Sequence, residues 1–387
     1  MSYRFLGYQR ENGQVGIRNH VAVISAMDNC NAIVNKIATQ VHHCLPITVW
    51  YGRTGFHDQT ESPHLDALVG LSCNPNIHSV LVVSLEEESA KMLCKKVTEN
   101  TGKTATYIAV QNEGNSILAV AKGTEAAAQL VSEATEQSPS EFDLSHLTVG
   151  VECGGSDTTS GLSSNPALGR ISDLVIKHGG KVILSETSEI LGAEQVLAER
   201  AVSNEVKEKL LSIVKKVDEE SKSLGINLSE INPSPDNKAG GLTTLEEKSL
   251  GAIIKGGTSP LVEVLDYAET PTKSGFYVMD TPSPACESIT ALSAGGAQII
   301  LFATGKGNII GAPVSPTIKV TGNPNTAVTL GPNIDYDVSD VFLGKKTFDE
   351  IEEPFMDFIM KVASGKKTKS EILGEEEVVI KPSPLSI

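Results

Sequence analysis

The chain has 387 residues, 40% hydrophobic and 21% charged, which is enough for two or three domains with ample core. Its 32 basic and 48 acidic residues give a net charge of −16, which argues against binding to nucleic acid or to anionic membrane surfaces. It has no membrane-spanning apolar run, its first twelve residues do not resemble a secretory signal, and its six cysteines form no CxxC pair, so we expect a cytoplasmic protein.

The first third of the chain alternates short β-branched runs with segments of helical periodicity. Strands are predicted at residues 21–25, 47–51, 79–84 and 105–110, and helices at residues 29–43, 62–73, 87–101 and 115–134. Such alternation predicts a parallel sheet covered by helices on both faces. The polar, proline-bearing residues 135–145 favour a domain boundary, so an N-terminal α/β domain is predicted over residues 1–138.

The remainder of the chain predicts a second α/β domain, the catalytic one, over residues 139–387. Its strands are predicted at residues 147–151, 181–184, 297–303 and 317–320, with one long helix or two abutting helices over residues 192–224 and an extended loop over residues 225–241. The predicted fold class is therefore α/β, with two Rossmann-like parallel-sheet domains that carry helices on both faces.

A polar loop follows the strand predicted at residues 147–151, with the sequence Cys153-Gly-Gly-Ser-Asp-Thr-Thr-Ser-Gly161. Open α/β sheets bind ligands where loops leave the carboxyl ends of their strands. Cys153 is either a soft iron ligand or a buried core cysteine. Asp157 could bind a divalent metal, accept a proton, or cap the following helix through an Asx-turn.

A second polar loop, Ser185-Glu-Thr-Ser-Glu189, follows the strand predicted at residues 181–184. Glu186 and Glu189 are three residues apart and would share one face of a helical turn. Paired carboxylates suit Mg²⁺, Mn²⁺ or Fe²⁺, whereas the same residues could also begin a helix capped by Ser185. Two polar loops that leave neighbouring strands predict one shared pocket.

Groups that could bind anions or move protons lie in three other segments. Gly240-Gly241 stands before a predicted helix, whose free amides would bind carboxylate or sulfonate. Lys248 in that helix could act as a base if desolvated, or lie on the surface. Thr304-Gly305 begins a third strand-end loop, and Arg18 and Arg53 could each bind an anion or form a structural ion pair.

Several motifs in the same order resemble the altronate/galactarate dehydratase family over about residues 4–380. They are Gly13-x-Val-Gly-x-Arg-Asn19, the Cys153 and Ser185 loops, Asn232-Pro-Ser-Pro-x-Asn237, Gly240-Gly-Leu, Glu247-Lys248-x-Leu-Gly251 and Thr304-Gly-x-Gly307. Such enzymes remove the proton next to a carboxylate and expel a β-substituent. The resemblance therefore implies a lyase, with Fe²⁺ as the expected metal and Mn²⁺ or Mg²⁺ as alternatives.

Two departures from the sugar-acid dehydratases point to one subfamily. The cysteines expected near residues 52 and 84 are absent from Gly52-Arg-Thr-Gly-Phe-His57 and Ser84-Leu-Glu-Glu-Glu88, and the small N-terminal domain is missing. The chain resembles instead the large (beta) subunits of sulfolactate sulfo-lyases, which eliminate sulfite from (2R)-3-sulfolactate to give pyruvate. This implies a small (alpha) subunit as partner and a homo-oligomer of the complex. Alternatives are a dehydratase of a sugar acid and a non-catalytic subunit that has lost its metal site.

The resemblance also implies roles for individual residues. Lys248 is predicted as the base, with Asp157 and Glu189 as further catalytic groups. The predicted metal ligands are Cys153, Asp157, Glu186 and Glu189. The anionic hydroxy acid is predicted to contact Arg53, which would hold the sulfonate, together with Arg18, Ser156, Gly240, Gly241, Thr304 and Gly305.

Overall fold

The structure, a computed structural model, describes residues 3–50 and 62–381. The strands of these residues are β1 (Arg4–Gln9), β2 (Val15–Gly16), β3 (His20–Ser25), β4 (Cys44–Ile47), β5 (Ile77–Ser84), β6 (Ala105–Ala109), β7 (Ser140–Asp143), β8 (Thr148–Cys153), β9 (Lys181–Leu184), β10 (Leu261–Leu265), β11 (Gly275–Met279), β12 (Ile299–Ala303), β13 (Thr317–Thr321) and β14 (Tyr336–Asp337). The helices are α1 (Asn31–Gln40), α2 (Pro63–Cys73), α3 (Glu87–Thr101), α4 (Val110–Glu113), α5 (Ser116–Thr135), α6 (Asn165–Lys177), α7 (Glu194–Ala198), α8 (Asn204–Ser223), α9 (Leu228–Ile231), α10 (Pro235–Ala239), α11 (Leu245–Ile253), α12 (Ala285–Ala294), α13 (Pro324–Thr329), α14 (Ser339–Phe342), α15 (Phe348–Ala363) and α16 (Lys369–Leu373).

The first sheet has the strand order β4-β3-β5-β6, and all its strand pairs are parallel. Helices α2 and α3 pack on one face and α1 and α5 on the other, which gives two separate hydrophobic clusters. This confirms the predicted parallel sheet with helices on both faces. The strand predicted at residues 47–51 lies earlier, at β4, where Pro46 is tolerated because the strand is at the edge of the sheet.

The second sheet has seven strands in the order β10-β11-β9-β8-β12-β13-β14, again paired in parallel. The predicted strands of this region correspond to β8, β9, β12 and β13. The sequence prediction missed β10 and β11, since the residues between these two strands contain no helix and the usual alternation of strand and helix is interrupted.

A small antiparallel sheet, β2-β1-β7, was also missing from the prediction. It pairs the first strand of the chain with β7, which lies within the polar segment predicted as a boundary. Phe5, Val15 and Ile17 from this part of the chain are buried in the core cluster of the second sheet, not in the clusters of the first. Residues 4–17 therefore pack with the larger sheet.

The segment predicted as an extended loop, residues 225–241, contains the short helices α9 and α10. Ser234 caps α10 by accepting from the Asn237 amide, while the Asn237 side chain accepts from the Ser234 amide. The predicted helix over residues 192–224 is two helices, α7 and α8. None of the helices in the described part of the chain is long and apolar enough to cross a membrane.

Glu376, in the segment after α16, should make the stability of the folded chain depend on pH. Burial and the nearby Glu371 raise the pKa of Glu376 to about 7, although Lys367 opposes this. Between the unfolded pKa of 4.5 and pH 7 the folded chain keeps a proton that the unfolded chain has lost, so its stability falls as the pH rises through that window. We expect the free energy of unfolding of Glu376→Gln, relative to that of wild type, to rise by about 2 kcal/mol between pH 4.5 and pH 8.

Urea unfolding at the two pH values measures this difference. Glu220→Gln, which removes an exposed carboxylate on α8, is the matched control for the loss of one charge. The prediction would be contradicted if the unfolding free energy of Glu376→Gln, relative to wild type, fell as the pH rises.

Candidate active site

The carboxyl ends of the parallel strands β8, β9, β11 and β12 meet at one edge of the second sheet. The predicted convergence of the Cys153 and Ser185 loops is confirmed there, because the amide of Cys153 donates to Glu186 Oε2 at 3.1 Å. A cavity of about 350 Å³ opens at this edge. Its lining residues are Cys153, Gly154, Gly155, Ser156, Glu186, Glu189, Ser234, Asp236, Asn237, Lys248, Ser283, Ala285 and Asn308.

Glu186 reaches into this edge from a backbone conformation that non-glycine residues seldom adopt, with φ at 70°. The loop after β11 holds it there: the Glu186 amide donates to Thr281 Oγ1 at 2.7 Å, and the Thr281 amide donates to Thr187 Oγ1 at 3.0 Å. Thr187 in turn donates its hydroxyl to Asp280 at 2.7 Å. Strained backbone that is fixed by several bonds is common where a side chain must be aimed at a ligand.

A buried lysine that the sequence prediction missed lies behind the cavity wall. Lys255 Nζ is 3.0 Å from Cys153 Sγ and 2.5 Å from Glu186 Oε2. The side chains of Lys255 and Glu186 are only 1% and 2% exposed. Lys255 follows α11 in a short turn, seven residues after Lys248, so one helix and its extension direct both lysines toward the site.

The charges of this cluster follow from its contacts. Burial alone would lower the pKa of Lys255, but Cys153 and Glu186 outweigh burial and raise it. Burial raises the pKa of the Glu186 carboxyl, whereas the contacts with Lys255 and the Cys153 amide oppose this and favour the carboxylate. Burial, aided by Glu186, raises the pKa of the Cys153 thiol to about 12 although Lys255 opposes it. In this geometry Lys255 and Glu186 form the ion pair of the cluster, and the Cys153 thiol lies beside them.

A second buried carboxyl lies on the adjacent residue of β8. Glu152 is fully buried, and its Oε2 accepts hydrogen bonds from the hydroxyls of Ser185 and Ser288, both at 2.6 Å. Burial first and the charge of Glu186 second raise the pKa of Glu152 well above its usual value. With a single lysine near two carboxyls, Lys255 bonds Glu186 directly, and the raised pKa of Glu152 favours its protonated form.

A second ion pair lines the mouth of the cavity. Lys248 Nζ donates to Glu189 Oε1 at 3.0 Å and to Asn232 Oδ1 at 2.7 Å. The side chains of Lys248 and Glu189 are each 12% exposed. Glu189 Oε2 is buried and has no hydrogen-bond partner among the described residues, so one oxygen of this carboxylate is unpaired.

The structure places Asp157 outside the lining of this cavity, and its predicted roles as a metal ligand and proton acceptor stay predictions. Its Oδ1 accepts from the amide and hydroxyl of Thr159 and from the Ser160 amide, and its Oδ2 accepts from Asn323 Nδ2 at 2.8 Å. This is the Asx-turn alternative. It begins the π-helical turn Ser160–Ser164 that leads into α6.

The amides of Gly240 and Gly241, which were predicted to bind an anion, are hydrogen-bonded within the chain. Both glycines follow the end of α10, and their amides donate to carbonyls of residues 236–238. The Gly240 carbonyl accepts from Thr158, so an acceptor rather than a donor faces the Cys153 loop. Helix α11 begins only at Leu245, where Thr244 caps it.

The third strand-end loop contacts the cavity through a different residue from those predicted. The Thr304 hydroxyl accepts from the Gly307 amide, and the Gly305 amide donates to Gly155. Both predicted residues thus hold the loop together, while Asn308 lines the cavity. Ser156, predicted as a substrate contact, does line it.

The two predicted arginines have different outcomes. Arg18 is a structural residue, because its guanidinium pairs with Glu371 at 2.8 Å and donates to the carbonyls of Ile17, Val362 and Lys366. This corrects its prediction as a substrate contact. Arg53 lies outside the described residues.

Comparison with known proteins places the chain in a family. The family model for the D-galactarate/altronate dehydratase C-terminal domain matches residues 144–384, and that for the second domain of D-galactarate dehydratase/altronate hydrolase matches residues 7–135. The chain belongs to the galactarate/altronate dehydratase family. It is an enzyme with lyase activity.

Three relatives show how the family varies. The chain is 36% identical to (2R)-sulfolactate sulfo-lyase subunit beta of Chromohalobacter salexigens, over 97% of this chain and 96% of that protein. It is 32% identical to altronate dehydratase of Escherichia coli, over 98% of this chain and 78% of that protein. Galactarate dehydratase (L-threo-forming) of Escherichia coli is 29% identical, over 99% of this chain and 78% of that protein.

The four predicted metal ligands do not form a complete metal site. In residues 3–50 and 62–381, no three His, Cys, Asp or Glu side chains gather so that they could hold a metal ion. Cys153 and Glu186 both contact Lys255, and Asp157 accepts a hydrogen bond from Asn323. Glu189 keeps one oxygen that has no hydrogen-bond partner among the described residues. Iron therefore stays a prediction.

Proposed function

We propose that this lyase eliminates sulfite from (2R)-3-sulfolactate and forms pyruvate. The observation that carries the proposal is the ion pair of Glu189 and Lys248, two residues that both line the cavity, with Glu189 Oε2 left without a hydrogen-bond partner among the described residues. A carboxylate base and a cation side by side suit removal of a proton next to a substrate carboxylate. The likeness to a sulfo-lyase beta subunit over nearly the whole of both chains supports sulfite as the leaving group.

Glu189, rather than Lys248, is the base in this proposal. Lys248 Nζ donates to Glu189 and Asn232, so two of its three ammonium protons are engaged, and it acts as a cation in this proposal. Its charge would stabilise the enediolate that forms as the proton leaves C2. Lys255, behind the wall, fixes the Glu186 carboxylate and adds a second positive charge close to the cavity.

The bonds balance without an outside reactant. Glu189 takes the proton from C2, and the electron pair of the C2–H bond first forms the enediolate and then becomes the C2–C3 double bond. The C3–S bond breaks, and its electron pair leaves with sulfite. The resulting enol, 2-hydroxyacrylate, takes a proton at C3 and loses its hydroxyl proton to give pyruvate. Sulfite is stable as an anion, so the site does not need to protonate the leaving group.

The sulfonate needs a cation, for which we propose Arg53. Replacing Arg53 by Ala should raise KM about 10- to 100-fold, because a charge-assisted hydrogen bond is worth about 1.5–3 kcal/mol. Steady-state kinetics with sulfolactate measure the change. Arg170→Ala, which removes a surface arginine paired with Asp349 and Glu352, is the control and should keep the wild-type KM. An unchanged KM for Arg53→Ala would sink the assignment of the sulfonate site.

We also propose a small partner subunit. Supporting it, the sulfo-lyase relative is named a beta subunit, and the dehydratase relatives extend beyond the region they share with this chain. Iron is kept as a proposal from the family resemblance. Metal content after purification and activity with added Fe²⁺, Mn²⁺ or Mg²⁺ measure it.

One assay tests the function. The chain is purified with its small subunit, and sulfite and pyruvate are measured from each sulfolactate enantiomer, beside 2-keto acid formation from altronate and galactarate. Equal amounts of sulfite and pyruvate from the (2R) enantiomer are expected. Turnover of a sugar acid without sulfite release would replace the proposal by the dehydratase function, which the 32% identity to altronate dehydratase supports.

A further inference from the structure

A second buried lysine lies beyond the ion pairs of the cavity. Lys319 is in β13, a strand that is buried throughout, and its side chain is 0% exposed. Its Nζ donates to the carbonyls of Ile309 at 2.8 Å and Ile310 at 3.3 Å, and lies 3.6 Å from Glu375 Oε2. A buried ammonium costs several kcal/mol unless it is well paired, and an apolar side chain would fill a strand interior without that cost.

The carbonyls that Lys319 binds belong to the 304–312 loop, which contributes Asn308 to the lining of the cavity. This loop brings Asn308 into the lining, and Asn308 Nδ2 lies 3.1 Å from the position that a Cβ on Gly154 would take. The amides of Gly305 and Lys306 both donate to the Gly155 carbonyl. A shift of the loop would therefore move both Asn308 and the Cys153 loop.

The segment after α16 contacts both Lys319 and the 304–312 loop through Glu375 and Glu377. Glu375 accepts from Asn333 Nδ2 at 2.8 and 3.0 Å, and the Glu377 amide donates to the Gly311 carbonyl at 3.0 Å. Lys319 thus joins two chain segments, the cavity wall and the segment behind it, through one ammonium.

We propose that Lys319 is a positioning residue, which holds the 304–312 loop so that Asn308 stays in the wall of the catalytic cavity. The kinetic consequence rests on the proposed function, whereas the consequence for the loop does not. Lys103 is the matched control: it is also buried and donates to three carbonyls, those of residues 72–74, but it supports the end of α2 and lines no part of the cavity.

Hydrogen exchange measured by mass spectrometry tests the loop without any substrate. The amides of residues 305, 306, 307, 310 and 312 are all hydrogen-bonded and serve as reporters. In Lys319→Met we expect their exchange to rise about ten-fold or more by local opening, with no change in Lys103→Met. Unchanged exchange in Lys319→Met, or an equal rise in Lys103→Met, overturns the proposal.

Kinetics of the enzyme with its small subunit give the second readout. Lys319→Met should lower kcat/KM about ten-fold or more, whereas the kcat/KM of Lys103→Met should stay within about two-fold of wild type. In an enzyme that already carries Asn308→Ala, adding Lys319→Met should lower kcat/KM little further. The positioning role of Lys319 is contradicted if the losses in kcat/KM add in the double variant, or if Asn308→Ala has wild-type kinetic constants.

If Lys319→Met does not fold, the test uses Glu375→Gln, since Glu375 is 23% exposed and Gln keeps a side-chain oxygen that can accept from Lys319. It should raise loop exchange by a smaller factor, and unchanged exchange overturns the proposal. If sulfolactate is not a substrate, loop exchange still decides the role of Lys319, so failure of the proposed function is distinguishable.

Discussion

Replacing Glu189 by Gln should lower kcat about 1,000-fold and change KM less than ten-fold, since positioned general bases contribute about 10²–10⁴-fold. Gln keeps the size of the side chain and an oxygen that can accept from Lys248, but it cannot take the proton from C2. The loss should therefore fall on the chemical step and leave most of the binding intact.

Sulfite and pyruvate formation by the complex measure the effect, and far-ultraviolet circular dichroism checks the fold. Glu199→Gln, an exposed carboxylate just after α7, is the control and should retain wild-type rates. If Glu189→Gln keeps more than about a tenth of the wild-type kcat, Glu189 is not the base.

Replacing Lys255 by Met should destabilise the protein by about 3–5 kcal/mol, because it leaves the buried Glu186 carboxylate without its partner. Adding Glu186→Gln removes that unpaired charge, so the double variant should recover part of the stability. Activity should be about 100-fold below wild type in both variants, since the positive charge of Lys255 beside the cavity is gone in each case.

Urea unfolding and steady-state kinetics separate the two effects. Lys209→Met, which breaks an exposed pair with Asp266, is the control and should cost less than about 1 kcal/mol. If the double variant is as unstable as the sum of the two single variants, the pair is not coupled. If it regains full activity, Lys255 and Glu186 act only in folding.

Regular elements with local signals were predictable from sequence. Helix α3 was predicted over residues 87–101 and occupies Glu87–Thr101, because Glu86 caps its start and Gly102 takes the left-handed conformation at its end. Strands β1 and β7 were missed because their pairing joins residues more than 130 positions apart, and short strands that pair at such distances have no local signature.

The site was predictable in part for the same reason. Glu186 and Glu189 stood out because polar residues follow a buried strand directly. Lys255 was missed although its signal was present: it interrupts the run Ala252-Ile253-Ile254 before Gly256-Gly257, and it is seven residues from Lys248. For Asp157 the sequence leaves a ligand and a helix cap as alternatives, because the spacing Asp157-Thr-Thr-Ser160 is the same for both.

The sequence by itself determined the α/β class, the loops that carry the chemistry and the family motifs. These depend on residues that are close together in the chain. Tertiary structure decided which carboxylate is open and which is paired, because Lys255, Lys248 and Asn323 reach Glu186, Glu189 and Asp157 across 59 to 166 positions of chain. A carboxylate's role depends on the neighbour that takes its charge, and only the folded chain brings that neighbour to it.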